Sequence, residues 1–163
     1  MLLTPEWAAF FTAELGALAA LTGFVVVAIS INLSRIIAYP FLPSRAGEAL
    51  IGPVGAITAT SLVLIPDQPV ALAGAELAAV GLVMVLAPIL IQARTWSARK
   101  DATATERAVR AITSWGVGLL FVIGGALLTG GYSDGFYWIA AGSVASVIAV
   151  FLNSWILMIE ILR

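Results

Sequence analysis

The sequence predicts an all-α, polytopic membrane bundle of five spans, with the N-terminus outside and the C-terminus in the cytoplasm. Three observations carry that prediction: the composition, five apolar runs of helical length, and the placement of the basic residues. Of 163 residues, 61% are hydrophobic and 10% charged, with a mean hydropathy of +1.07. A soluble domain carries about 25% charged residues. Charges this sparse cannot cover a water-facing surface, so lipid is the expected solvent around most of the chain. Residues 1–163 read as a single integral membrane domain.

A helix needs about 20 mostly apolar residues to cross about 30 Å of hydrocarbon. The first such run is Trp7–Leu33. Its start is marked by Thr4 as an N-cap, Pro5 at the first helical position and Glu6 against the helix dipole. With no basic residue before the apolar run, this start does not read as a cleaved signal peptide. The second run, Glu48–Ile65, is the shortest. Gly52-Pro53 and Gly55 interrupt it, which inside a bundle makes a kink rather than an end. The third and fourth are Val70–Gln92 and Ala108–Gly130, joined by a loop that reads as a helical extension, and the fifth is Phe136–Ile161. Small residues at four-residue spacing, Gly16/Ala20 and Gly74/Ala78, suit close packing of helices in lipid.

Five spans put all eight basic residues on one side: Arg35 and Arg45 in the first loop, Arg94, Arg99, Lys100, Arg107 and Arg110 in the third, and Arg163 at the end. The opposite side carries only Glu6, Asp67 and Asp134. The positive-inside rule makes the basic side cytoplasmic. Trp7 and Trp138 fall at the outer ends and Trp96, Trp115 and Trp155 near the inner ends, as an aromatic belt requires. The third-loop cluster, Arg94 to Arg110, reads as an orientation signal that contacts anionic lipid. The first cytoplasmic loop, Ile36 to Pro43, has two prolines at P-x-x-P spacing but is apolar enough to lie among the headgroups.

The chain has no cysteine and no histidine. Disulfides, thiol chemistry, Cys/His metal sites and imidazole catalysis are therefore excluded. No aspartate lies inside an apolar run, so an intramembrane aspartyl pair is excluded too. We expect no enzyme, no cofactor and no nucleic-acid partner.

Two acids do lie inside apolar runs, Glu14 and Glu76. Measured from the predicted span starts, both sit about 10 Å below the outer interface. An acid at a span centre costs about 2.5–3.5 kcal/mol on insertion scales, so it normally faces protein or water and is a functional candidate. The alternative is a neutral carboxyl that hydrogen-bonds a neighbouring helix. Along the first span, Glu14, Leu18, Leu21, Val25, Ala28, Asn32 and Arg35 share one helical stripe. Repeated around a symmetry axis, the stripe makes an outer acidic ring, an apolar constriction and a basic inner mouth, a combination that concentrates cations and gates by dewetting. This looks like the pore of store-operated calcium channels of the Orai family, where the pore helix runs the other way. An ordinary buried helix with one wet end fits the same residues. The fifth span has a weaker polar face, Ser143, Ser146 and Asn153, followed by Glu160. Such groups usually join helices, at about 0.6 kcal/mol each. Glu48, three residues after Arg45, is expected to pair with it locally.

An offset of 62 residues aligns Ala13-Glu14-Leu15 on Ala75-Glu76-Leu77, and Arg45-Ala46 on Arg107-Ala108. Residues 13–50 then repeat as 75–112, a parallel repeat of the kind that transporters use.

The segments Trp7-Ala8-Ala9-Phe10-Phe11, Leu21-Thr22-Gly23-Phe24 through Leu33, Pro43-Ser44-Arg45-Ala46-Gly47-Glu48-Ala49-Leu50 and Ser61 to Pro66 resemble a family of small bacterial membrane proteins that carry the label "modulator of FtsH protease". The resemblance covers residues 7–77. It implies a bacterial inner-membrane address and a regulatory role, with no catalytic residue to carry over. The label belongs properly to a larger, seven-span family that includes calcium-leak proteins, a fold for which this chain is too short. Three functions are thus expected, in order. The first is a homo-oligomeric ion channel, preferably for cations, with the first span lining the pore. The second is a non-transporting regulator or partner of a membrane complex such as a membrane protease. The third is a proton- or sodium-coupled carrier using Glu14 and Glu76.

Overall fold

A computed structural model describes residues 3–39, 42–95 and 112–162. Arg99, Lys100, Arg107, Arg110, Arg163, Trp96 and the Pro40-Phe41 pair lie outside the described residues. The chain is all-helical, with no strand among the described residues. Its helices are α1 (Pro5–Ile31), α2 (Leu33–Ala38), α3 (Leu42–Val63), α4 (Val70–Thr95), α5 (Val117–Thr129) and α6 (Gly135–Leu162), with a π-helical turn, Ile112–Gly116, leading into α5. Four of them, α1, α3, α4 and α6, are long and apolar enough to cross a membrane. At 1.5 Å per residue, the 13 residues of α5 rise only about 20 Å. The inner part of the predicted fourth span, Ala108–Ala111, lies outside the described residues.

Local chemistry explains the helix ends. The Trp7 amide donates to Thr4 Oγ1 (3.5 Å), and Pro5 opens the first turn. α1 stops at Asn32, whose side-chain amide donates to the Ala28 carbonyl (2.9 Å), and α2 follows directly from Leu33. α3 begins six residues before the predicted Glu48, at Leu42. Pro43 is tolerated in the first turn, where its missing N–H would be unpaired anyway. Leu42 and Ala46 are also buried against Ile36 of α2, which rewards the early start. Gly52-Pro53 does not interrupt α3, which runs unbroken to Val63.

Side-chain registers give the directions. On α3 and α4, Gly55 faces Met84 and Gln92 bonds Glu48, so these helices are antiparallel. Pro53 and Pro88 then lie at nearly the same depth, both buried. A β-carbon at Gly74 would lie 2.5 Å from the Thr129 amide, and one at Gly81 2.6 Å from the Val122 amide. Glycine on both helices therefore lets α4 and α5 approach backbone to backbone. Gly124 and Gly135 make a similar contact between α5 and α6. Trp7 of α1 stacks on Phe136 of α6, with ring centroids 5.9 Å apart, so α1 and α6 run parallel. α3 touches α1, α4 and α6 and is the central helix.

The core runs the length of the bundle through Phe11, Leu18, Ala56, Leu77, Met84, Phe121, Leu128 and Ile139. Arg35, Arg45 and Arg94 sit at the end opposite to the 64–69 and 130–134 connections. The two small-residue pairs pack differently. Gly74 and Ala78 lie in the α4–α5 seam, but Gly16 has no neighbour within 4 Å of where its β-carbon would be.

Candidate functional site

The predicted stripe on α1 is where this helix meets its own chain. Leu18 is 0% and Val25 4% exposed, Leu21 is half-buried, and Phe11 and Thr22 join the same buried face. Glu14 is half-buried, with Oε2 sealed from solvent and without a donor. Ala28 and Arg35 are exposed and Asn32 half-buried. The helix break at Asn32 ends the stripe, and beyond it Ile36, not Arg35, turns inward. Leu18 and Val25 are covered within one chain.

The two intramembrane acids are not level, contrary to the depth expected from span starts. Gly74 packs against Gly125, Gly124 against Gly135, and Phe136 against Trp7. This chain of registers sets Glu76 near the level of Trp7. Glu14 lies seven residues further along α1, about 10 Å deeper. Glu76 is tied to the 64–69 turn: Gln68 Nε2 donates to its Oε2 at 2.6 Å. Gln68 Oε1 is buried without a donor.

Ser143 and Ser146 are buried and do not join helices. Each hydroxyl donates to its own helix, to Ile139 O at 3.1 Å and Gly142 O at 2.8 Å. Thr22 and Thr60 do the same, to Leu18 O and Ala56 O. These back-bonds satisfy the hydroxyls without a partner or water. The side chain of Asn153 lies outside the described residues.

The expected Arg45–Glu48 pair is present, at 3.7 Å with both side chains buried. Sequence reasoning missed Gln92, which donates to Glu48 Oε1 at 2.5 Å and links α3 to α4 near the inner end. Nothing local signals a bond between residues 44 positions apart. Trp115 Nε1, in the π-helical turn, is buried without an acceptor. Among the described residues, no three carboxylates converge as a metal site would need.

The uncovered face of α1 carries Ala13, Gly16, Ala17, Ala20 and Gly23, all exposed. Only 11% of the α1 span is buried, the smallest share of the four long helices. No family model, no curated protein and no solved structure matches this chain.

Proposed function

We propose that this protein is a non-transporting component of a membrane complex, which docks a helix of a partner membrane protein on the uncovered face of α1. It would sit in the bacterial inner membrane with five spans and its basic end in the cytoplasm, where Arg94 and the third-loop basic residues meet anionic lipid. The observation that carries this reading is the closure of Leu18 and Val25 within the chain, beside an exposed small-residue stretch at Ala13, Gly16, Ala17 and Ala20 that continues into the exposed Phe24, Val27 and Ile31. Elsewhere the chain uses glycine faces for helix packing: Gly74, Gly81, Gly118, Gly124 and Gly125 all abut a neighbouring helix. Gly16 and Gly23 have no neighbour within 4 Å of where a β-carbon would be. Lipid gains little from small residues, whereas a second helix gains close backbone approach. The resemblance of residues 7–77 to FtsH modulators suggests a membrane protease as the class of partner.

The test is the size of the native complex after mild detergent extraction, read together with ion flux in liposomes. Gly16→Leu and Ala20→Leu should each release the protein from the larger complex without changing its melting temperature. The purified protein should pass no more ions than empty liposomes. If Gly16→Leu leaves the complex intact, the docking assignment fails.

A second reading, the cation channel, has one observation in its favour. Glu14 keeps a carboxylate oxygen without a donor deep in the bundle, as an ion site would before loading. It requires flux that Glu14→Gln abolishes.

A further inference from the structure

A cavity of about 370 Å³ opens at the outer end, between the starts of α1, α4 and α6 and the end of α3. It reaches inward from the exposed Asp67 to Val63, Leu77 and Phe136, which are 7%, 0% and 7% exposed. Its volume lies within the range of small-ligand pockets, and its walls have their usual character: mostly aliphatic and aromatic, with few polar groups. Those polar groups are all on one turn. Asp67 and Gln68 both line the cavity, and Gln68 holds Glu76.

Among the described residues the charge at this end has one sign. Glu6, Asp67, Glu76 and Asp134 all belong to it, while Arg35, Arg45 and Arg94 lie at the other end. A cationic group at the mouth is favoured by that field, and an anion is repelled. Two further observations point to a missing partner. Gln68 Oε1 is an acceptor cut off from water with no donor, a state that costs about 1–3 kcal/mol. Asp67 has φ +54°, a left-handed backbone conformation that Asp and Asn adopt more readily than other non-glycine residues. Strain of this kind tends to persist where a side chain has a task.

We propose that this cavity binds a cationic amphiphile, a primary ammonium group on a short hydrocarbon tail. The ammonium pairs with the Asp67 carboxylate at the mouth, beside the Gln68 amide that stays bonded to Glu76. The tail lies along Val63, Leu77 and Phe136. This site is independent of the α1 docking face, which lies on the uncovered side of that helix.

The probe is hexylammonium, compared with hexanol and hexanoate, titrated into the purified full chain in lipid nanodiscs with empty nanodiscs subtracted. Saturable binding of hexylammonium is expected, at least tenfold tighter than that of hexanol, with none for hexanoate. Asp67→Asn keeps a residue that tolerates the left-handed backbone, so it should melt at or above the wild-type temperature while binding hexylammonium at least tenfold more weakly. Ala73→Phe, which fills the cavity beside α4, should abolish binding of both the amine and the alcohol. Hexanoate binding as tightly as the amine, unchanged affinity in a folded Asp67→Asn, or no saturable signal above empty nanodiscs would each overturn the proposal.

Discussion

Gly74 of α4 and Gly125 of α5 face each other across the tightest seam in the bundle, where neither position has room for a β-carbon. This contact fixes how α4 and α5 pair, and with the Gly124–Gly135 contact it sets the register of α6. The relative depths of Glu76 and Glu14 follow from these two seams together with the Trp7–Phe136 stack. The same residue type on α1, at Gly16, has open space instead.

That contrast predicts opposite outcomes for one substitution. Gly81→Ala pushes a methyl group to 2.6 Å from the Val122 amide and should destabilise the protein by about 1–3 kcal/mol, the usual cost of overpacking. Gly16→Ala should be neutral within about 0.5 kcal/mol or slightly stabilising in the isolated chain. Unfolding in mixed micelles, followed by circular dichroism, separates the two.

The buried Arg45–Glu48–Gln92 group should be sensitive to the loss of one member. Glu48→Ala leaves a buried guanidinium without its carboxylate and is expected to cost about 3–5 kcal/mol. Gln92→Ala removes one bond to that carboxylate and should cost about 1–3 kcal/mol. Melting temperatures of the two variants should fall in that order, and the reverse order would contradict the geometry.

Ser143→Ala and Ser146→Ala should be nearly silent. Each hydroxyl bonds only a carbonyl of its own helix, so each loss should stay below about 1 kcal/mol. A larger effect on stability would mean that these hydroxyls hold another helix, as the sequence alone suggested.

Much of the architecture was legible because it depends on short-range chemistry. Thr4 and Pro5 mark the start of α1, apolar length marks the long helices, and Arg45 and Glu48 sit three positions apart on one helix. Residue spacing failed where the answer depends on a partner from elsewhere in the chain. Gly16/Ala20 and Gly74/Ala78 have the same pattern, yet only the second meets a facing glycine. Glu14 and Glu76 looked level because depth was counted from predicted span starts; the glycine seams decide it instead. The stripe from Glu14 to Val25 is a real helical face, but periodicity cannot say whether such a face meets water or its own chain. Pro53 is expected inside a continuing span, and α3 does run through it to Val63.

A photo-crosslinker placed on α1 tests the central claim most directly. The chain has no cysteine, so Gly16→Cys and Leu18→Cys each create one attachment point for a benzophenone maleimide in native membranes. Ready labelling and a crosslink to a larger polypeptide are expected from position 16, and neither from position 18, which lies in the core. Efficient labelling at position 18 with crosslinks between identical copies, and none from position 16, would contradict the claim and return α1 to a shared axis.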